Sequence, residues 1–206
     1  MNEPQVRDPD GTRSRILDAA FAQFVEQGYA KVAMREIAEA SGVTKSLIHH
    51  HFGSKQALWD AVKEHALGLY AAEQRAELEN AENPDAGLLE RGVVNYFRFL
   101  RDNPRVVRLL AWTHLEGDES CGEMDAELVR LGAERIRQGQ QAGIFRDDVN
   151  PTHVVTTFVL TCLQWFEARS HHAQWPGIGS DEEFLDDFLK IFMRGLQPRA
   201  HPQEAG

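Results

Sequence analysis

Apolar residues recur at intervals of three and four from Ile16 to Leu196, and no stretch alternates with the period of two that a half-buried strand requires. The pattern predicts an all-α chain of about nine helices. A first helix over 13–27 places Ile16, Leu17, Ala20, Phe21, Phe24 and Val25 on one face and stops at Gly28. Two short helices follow, over 34–40 and 45–51, joined at Ser41 and Gly42. Ser54 is placed to cap a fourth helix with an apolar stripe of Leu58, Ala61, Val62, His65, Ala66 and Leu69, extending to about residue 78. The polar run 80–85 breaks the pattern before a fifth helix carrying Leu88, Leu89, Val93, Tyr96, Phe97 and Leu100. Asn103-Pro104 opens a sixth, and 117–122 forms a loop. A seventh spans 124–142, and Asn150-Pro151 supplies a cap and a first-turn proline for an eighth that runs to about residue 170. The last predicted helix starts at Asp181. Residues 1–11 and 197–206 read as flexible tails.

The second and third helices carry the chemistry. Two helices fixed at an angle by a glycine turn present the second one to a DNA major groove. Val43, Ile48 and Phe52 are spaced to face inward, which leaves Thr44, Lys45, Ser46, Leu47, His49 and His50 outside. Those side chains are small or hydrogen-bonding, as a groove-reading helix needs. Thr44 can cap the helix while its hydroxyl meets a phosphate. Lys55 sits in the first turn of the next helix, where the dipole disfavours a cation unless an anion is held there too. Arg35 completes the expected DNA-contacting set.

The segment from Arg13 to Leu58 contains Gly28-Tyr29, Arg35-Glu36-Ile37-Ala38, Ser41-Gly42-Val43-Thr44-Lys45-Ser46, Ile48, His51-Phe52 and Ser54-Lys55. In this order the residues resemble the DNA-binding domain of the tetracycline-repressor (TetR) family. A weaker likeness covers 139–151. The resemblance implies a helix-turn-helix domain over 12–57 and a helical ligand-binding and dimerisation domain over 58–196. It also implies that Thr44, Lys45 and Lys55 touch the DNA backbone, and that Ser46 and Leu47 lie near base edges. Three departures bear on the operator rather than on DNA binding. Ala33 stands where a hydroxyl usually caps the second helix, His49 where a tyrosine usually meets a phosphate, and Leu47 where a small polar residue is common.

The net charge of −10 argues against a general nucleic-acid coat protein. Six basic and four acidic residues fall in 12–57, a net of +2, so the acidic excess lies elsewhere and would orient the basic end toward phosphates. The opening residues have no apolar centre, and the longest apolar run, 154–166, is too short to span a bilayer and contains three threonines and a glutamine. With Cys121 and Cys162 far apart in sequence, a reduced cytoplasmic protein with no membrane partner is the simplest expectation.

Other clusters carry less. His49, His50 and His51 point about 100° apart on a helix and cannot close on one ion. Glu167, His171 and His172 are better read as a hydrogen-bonded surface group, so no metal and no cofactor are expected. The resemblance implies an effector pocket among the fourth to seventh helices, with His65, Tyr96, Phe97, Trp112 and His114 as candidate lining residues, although residue by residue ordinary core is the better reading, for His65 a satisfied core histidine. Val155, Phe158, Val159, Cys162, Trp165 and Phe166, with Phe184, Phe188 and Phe192, give the last two long helices wide apolar faces. Such faces fit a two-fold homodimer. The chain is thus read as a homodimeric, ligand-responsive regulator, expected to be a repressor, on a quasi-palindromic double-stranded operator and released by a small, largely apolar effector. A partner-controlled or architectural DNA binder without an inducer is the alternative. A helical-bundle enzyme is disfavoured, because the chain has no nucleophile elbow, phosphate loop or paired metal motif.

Overall fold

In the computed structural model the described residues are 9–83 and 85–198, with backbone only at 9, 10 and 120–125. They form ten helices and no strand. In chain order these are α1 (Pro9–Lys31), α2 (Met34–Ser41), α3 (Lys45–Phe52), α4 (Lys55–Asn80), α5 (Ala86–Asp102), α6 (Pro104–Leu115), α7 (Ser120–Gln141), α8 (Pro151–Glu167), α9 (Arg169–His172) and α10 (Asp181–Gly195). The predicted eighth helix closes earlier, at Glu167, and the short α9 straddles its expected end near residue 170. The helix α7 begins inside the predicted 117–122 loop, and α1 begins before Arg13. Residues 1–8 and 199–206, expected as tails, lie outside the described residues, as does the Cys121 side chain.

Helix ends follow their local chemistry. The Ser54 hydroxyl accepts from Ala57 N–H at 3.0 Å, and the Asn150 side chain from Thr152 N–H at 2.9 Å ahead of Pro151. Ser180 and Glu183 form a reciprocal capping box on α10. Ala33 offers α2 no side-chain oxygen, but Glu36 accepts from the Ala33 N–H at 2.8 Å. Half of the usual cap is therefore kept.

Packing divides the described residues into two units that are not contiguous in sequence, one drawn from 9–69 and 108–121 and the other from 70–83, 85–107 and 122–198. In the first, Ile16, Ala20, Phe24, Ile37, Ile48, Leu58, Trp59 and Leu109 form one buried cluster. Phe24 and Trp59 meet edge to face at 5.0 Å. The helix α1 breaks at Gly28, which takes φ 78° and ψ 170°. The break frees backbone groups, and α6 with the turn residue that follows it supplies partners from one side. Trp112 Nε1 donates to Val25 O at 3.1 Å, Arg108 donates to Glu26 O at 3.3 Å, and Glu116 accepts from Ala30 N–H at 3.0 Å. These three residues are four apart, so a single helical stripe serves all of them.

The same unit buries a charge. Lys63 is fully inaccessible and pairs with Asp118 at 2.6 Å and Asp60 at 3.0 Å; Trp59 Nε1 also donates to Asp118, at 2.5 Å. Burial pulls the ammonium pKa down, but hydrogen bonds and charge from Asp118 and Asp60 outweigh it, so the net shift is upward.

In the second unit α5 packs on α8 and α10. Aromatic rings run through its core. Trp165 stacks on Phe184 at 3.7 Å and on His172 at 4.3 Å, and Phe97 lies 4.8 Å from Phe166. Cys162 is buried there, and burial pushes its thiol pKa to about 12.

Candidate functional site

The outer face of α3 is set by what holds its inner face and ends. Ile48 is completely buried, with Val43 and Phe52 packed against the same core. Gly42 ends α2 at φ 68°, a left-handed turn that a Cβ would strain. Ser41 Oγ returns its proton to Ile37 O at 2.6 Å inside the turn. Thr44 then caps α3, accepting from Leu47 N–H at 3.2 Å, and its hydroxyl proton remains to be donated. Lys45, Ser46, His49 and His50 are exposed on the helix, and Leu47 is half-exposed between them. The result is a short rod with a polar, hydrogen-bonding outer face.

Besides Thr44, three of the expected DNA contacts have partners already. Arg35 pairs with Glu39 at 3.4 Å, an exposed interaction worth at most about 1 kcal/mol and easily exchanged. His49 Nδ1 lies 2.9 Å from Gly53 O. A carbonyl can only accept, so Nδ1 carries the proton, and a phosphate bond donated from Nε2 requires the doubly protonated ring. Lys55 Nζ sits 4.4 Å above the Tyr29 ring and donates to Ala30 O at 3.3 Å. Burial lowers the Lys55 pKa, with Glu116 and Glu36 acting in the opposite direction. This cation is fixed in place by the broken end of α1, which its sequence position does not reveal.

A cavity of about 250 Å³ opens in the second unit, among the last turns of α4, α5, α7 and α8. Leu88, Leu89, Ile136, Phe145, Val155 and Phe158 make most of its wall, with Tyr70, Gln74, Tyr96, Arg135 and Thr156 supplying polar atoms. Of the five expected pocket residues only Tyr96 lies on this wall. Phe97 is core, Trp112 caps α1 in the other unit, and His114 is exposed. His65 is also exposed, not the buried histidine the stripe suggested, because α4 turns that edge to solvent. The wall residues on α7 and the end of α4 were missed. Their positions on separate helices gave no local signal beyond Gly92 and Gly132 inside otherwise regular helices.

The residues expected at a dimer contact divide by depth. Cys162, Trp165 and Phe192 are buried within their own unit, and Val155 is buried on the cavity wall. Phe158, Val159, Phe166, Phe184 and Phe188 are half-buried. Leu160 and Ile191, on the same two helices, are 57% and 74% exposed. Among the described residues, no group of three His, Cys, Asp or Glu side chains could hold a metal ion, and no helix is long and apolar enough to cross a membrane. His172 Nε2 donates to Trp165 O at 2.8 Å, and its ring stacks on Trp165 and meets Trp175 edge to face.

A helix-turn-helix with a polar reading face, joined in one chain to a helical unit enclosing a cavity, defines a DNA-binding transcriptional regulator rather than an enzyme. The profile for bacterial regulatory proteins of the tetR family matches residues 16–62, and that for the tetracyclin repressor-like C-terminal domain matches 91–183. The chain belongs to the TetR family. It is 27% identical over 205 residues to the HTH-type transcriptional repressor NicS of Pseudomonas putida, covering 94% of this chain and 96% of that protein. It is 31% identical over 174 residues to the HTH-type transcriptional repressor Rv1474c of Mycobacterium tuberculosis, covering 80% and 84%. The solved structure of the putative transcriptional regulator SCO4942 from Streptomyces coelicolor shares the fold, with a TM-score of 0.69 at 20% identity over 90% of this chain and 98% of that one.

Proposed function

We propose that the protein is a homodimeric repressor that binds a quasi-palindromic operator through α3 and releases it when a small effector fills the cavity of the second unit. The observation that carries the DNA half is the outer face of α3. A buried Ile48 and a Thr44 cap fix the helix, while Lys45, Ser46, Leu47, His49 and His50 remain available to a groove. Thr44, Lys45, Arg35 and Lys55 take the phosphates, and Ser46 and Leu47 read base edges. The segment 12–57 is the DNA-binding domain in this reading, and 58–196 the regulatory one. Repression is supported by the similar proteins named as repressors. Leu160 and Ile191 supply exposed apolar surface for a two-fold contact, with half-buried Val159 and Phe188 beside them. Two reading helices would then enter successive major grooves about 34–36 Å apart.

The test is binding-site selection on duplex DNA, followed by affinity against salt. Lys45→Ala should weaken binding to every sequence and lower the salt slope by about one unit, whereas Leu47→Ala should change the selected consensus. Sedimentation should show a dimer that Ile191→Asp separates. A wild-type chain that is single-copy, or that ignores duplex DNA at low salt, would overturn the proposal.

A further inference from the structure

The cavity wall carries an arginine whose charge no carboxylate answers. Arg135 donates from Nε to Leu78 O at 2.7 Å, from one terminal nitrogen to Glu79 O at 3.2 Å, and from the other to Gln138 Oε1 at 3.0 Å. Two of these acceptors are last-turn carbonyls of α4, so the guanidinium caps that helix and faces the negative end of its dipole. All three partners are neutral. In the same unit Arg91, Arg101, Arg130, Arg137, Arg146 and Arg169 each hold a carboxylate. A guanidinium has five N–H donors, so two remain on Arg135. Asp85 also borders the cavity, but it caps α5 through Gly87 N–H and lies 3.7 Å from Arg91.

A second observation concerns the space itself. Gly92 lies inside α5 on the cavity wall, and a Cβ built there would meet nothing within 4 Å. The helix accepts a glycine in its interior, and the position leaves the cavity open. An engineered apolar cavity of about 150 Å³ holds benzene. By proportion, 250 Å³ suits an apolar body of about ten carbons.

We infer that the cavity binds a monoanionic amphiphile, an apolar body ending in a carboxylate, and that Arg135 is the residue that binds the carboxylate. One cation on the wall, with Asp85 at its border, favours a single negative charge over a doubly charged phosphate. The carboxylate takes the two N–H groups left on Arg135, so that occupant, guanidinium and the end of α4 form one hydrogen-bonded group. The N-terminal half of that helix belongs to the unit that contains α3. The inference rests on the cavity being the effector site of the proposed function.

The experiment titrates the full chain with decanoate and 2-naphthoate, and with their neutral counterparts decan-1-ol and 2-naphthalenemethanol, read by calorimetry and thermal shift. At least one acid should bind about tenfold or more tightly than its alcohol, as a charge-assisted pair requires. The preference should vanish in Arg135→Gln, and both kinds of probe should lose binding in Gly92→Leu. If Arg135→Gln does not fold without its α4 cap, the acid-to-alcohol ratio of the wild-type protein decides alone. Equal binding of acid and alcohol, or no binding of either acid, overturns the anion assignment. Unchanged acid binding in Gly92→Leu overturns the location. Operator release by a neutral molecule, abolished by Gly92→Leu, would remove the anion and leave the effector site standing.

Discussion

In the unit built on α1, α2 and α3, Phe24 and Trp59 fill the interior and the backbone groups freed at Gly28 find partners on α6 and at Glu116 just after it. In the unit built on α5, α7, α8 and α10, aromatic stacking fills one end, and the other end is left as a cavity of about 250 Å³. A reading head must hold α3 at a fixed angle, so strain and charge are tolerated there only with every group matched. Under the proposed function the second unit must leave room for an effector, which accounts for packing given up beside its cavity. Substitutions of similar size should therefore have opposite consequences in the two units.

The largest effect is expected at Lys63. Lys63→Met leaves Asp118 with its Trp59 bond but without its buried cation. Breaking a buried pair from one side costs about 3–5 kcal/mol, measurable by urea denaturation. Its pH dependence follows from the raised pKa. The stabilisation is complete below the ordinary lysine value of 10.5 and fades as pH rises through the higher folded value. Wild type and Lys63→Met should therefore converge in stability only in strong alkali. A loss under 1 kcal/mol at neutral pH would mean that the head is not held by matched charge.

Gly28→Ala comes next. The residue sits at φ 78°, and an added Cβ would lie 2.7 Å from Trp112 Cε3. Strain in a backbone region that essentially only glycine adopts, together with overpacking, should cost about 2–4 kcal/mol. The two parts separate in a double-mutant cycle. Combined with Trp112→Ala, the glycine change should cost only the conformational part, about 1–3 kcal/mol. Additivity in that cycle would show that Trp112 does not press on residue 28.

These two sites also mark what could be read from the chain. The inward face of α1, the turn at Gly42 and the caps at Thr44, Ser54 and Asn150 were legible, because each depends on neighbours within a few residues. Lys63 was passed over: its lateral partner Asp60 is local, but Asp118 lies 55 positions away. Trp112 is no more than a candidate pocket residue in the sequence, because an aromatic on an amphipathic helix looks the same whether it faces a ligand, a core or a broken helix end. The cavity wall joins residues from Tyr70 to Leu160, and no periodicity within one helix encodes what three others leave empty. Helices α8 and α10 looked wide enough for a partner, yet Cys162, Trp165 and Phe192 are consumed inside their own unit.

Ala33→Ser sharpens the comparison from the stabilising side. The N-cap of α2 already has extended backbone, φ −97° and ψ 143°, and Glu36 already returns to its N–H. A serine hydroxyl would complete the box and should add about 1 kcal/mol to the stability of the head. A neutral or destabilising result by thermal melting would mean that the Glu36 half alone satisfies the helix end.

The smallest effect is expected in the other unit, at Gly92. An alanine in the interior of a regular helix is favoured over glycine by about 0.5–1 kcal/mol through backbone entropy. At most positions facing a packed interior a new methyl would offset that gain by overpacking. Here the Cβ meets nothing within 4 Å, so Gly92→Ala should raise the melting temperature while leaving less room in the cavity. The same substitution thus stabilises the fold and weakens any occupant. If Gly92→Ala proved destabilising, the space beside α5 would be closed in solution, and the contrast between a filled head and an open body would fail at its own clearest point.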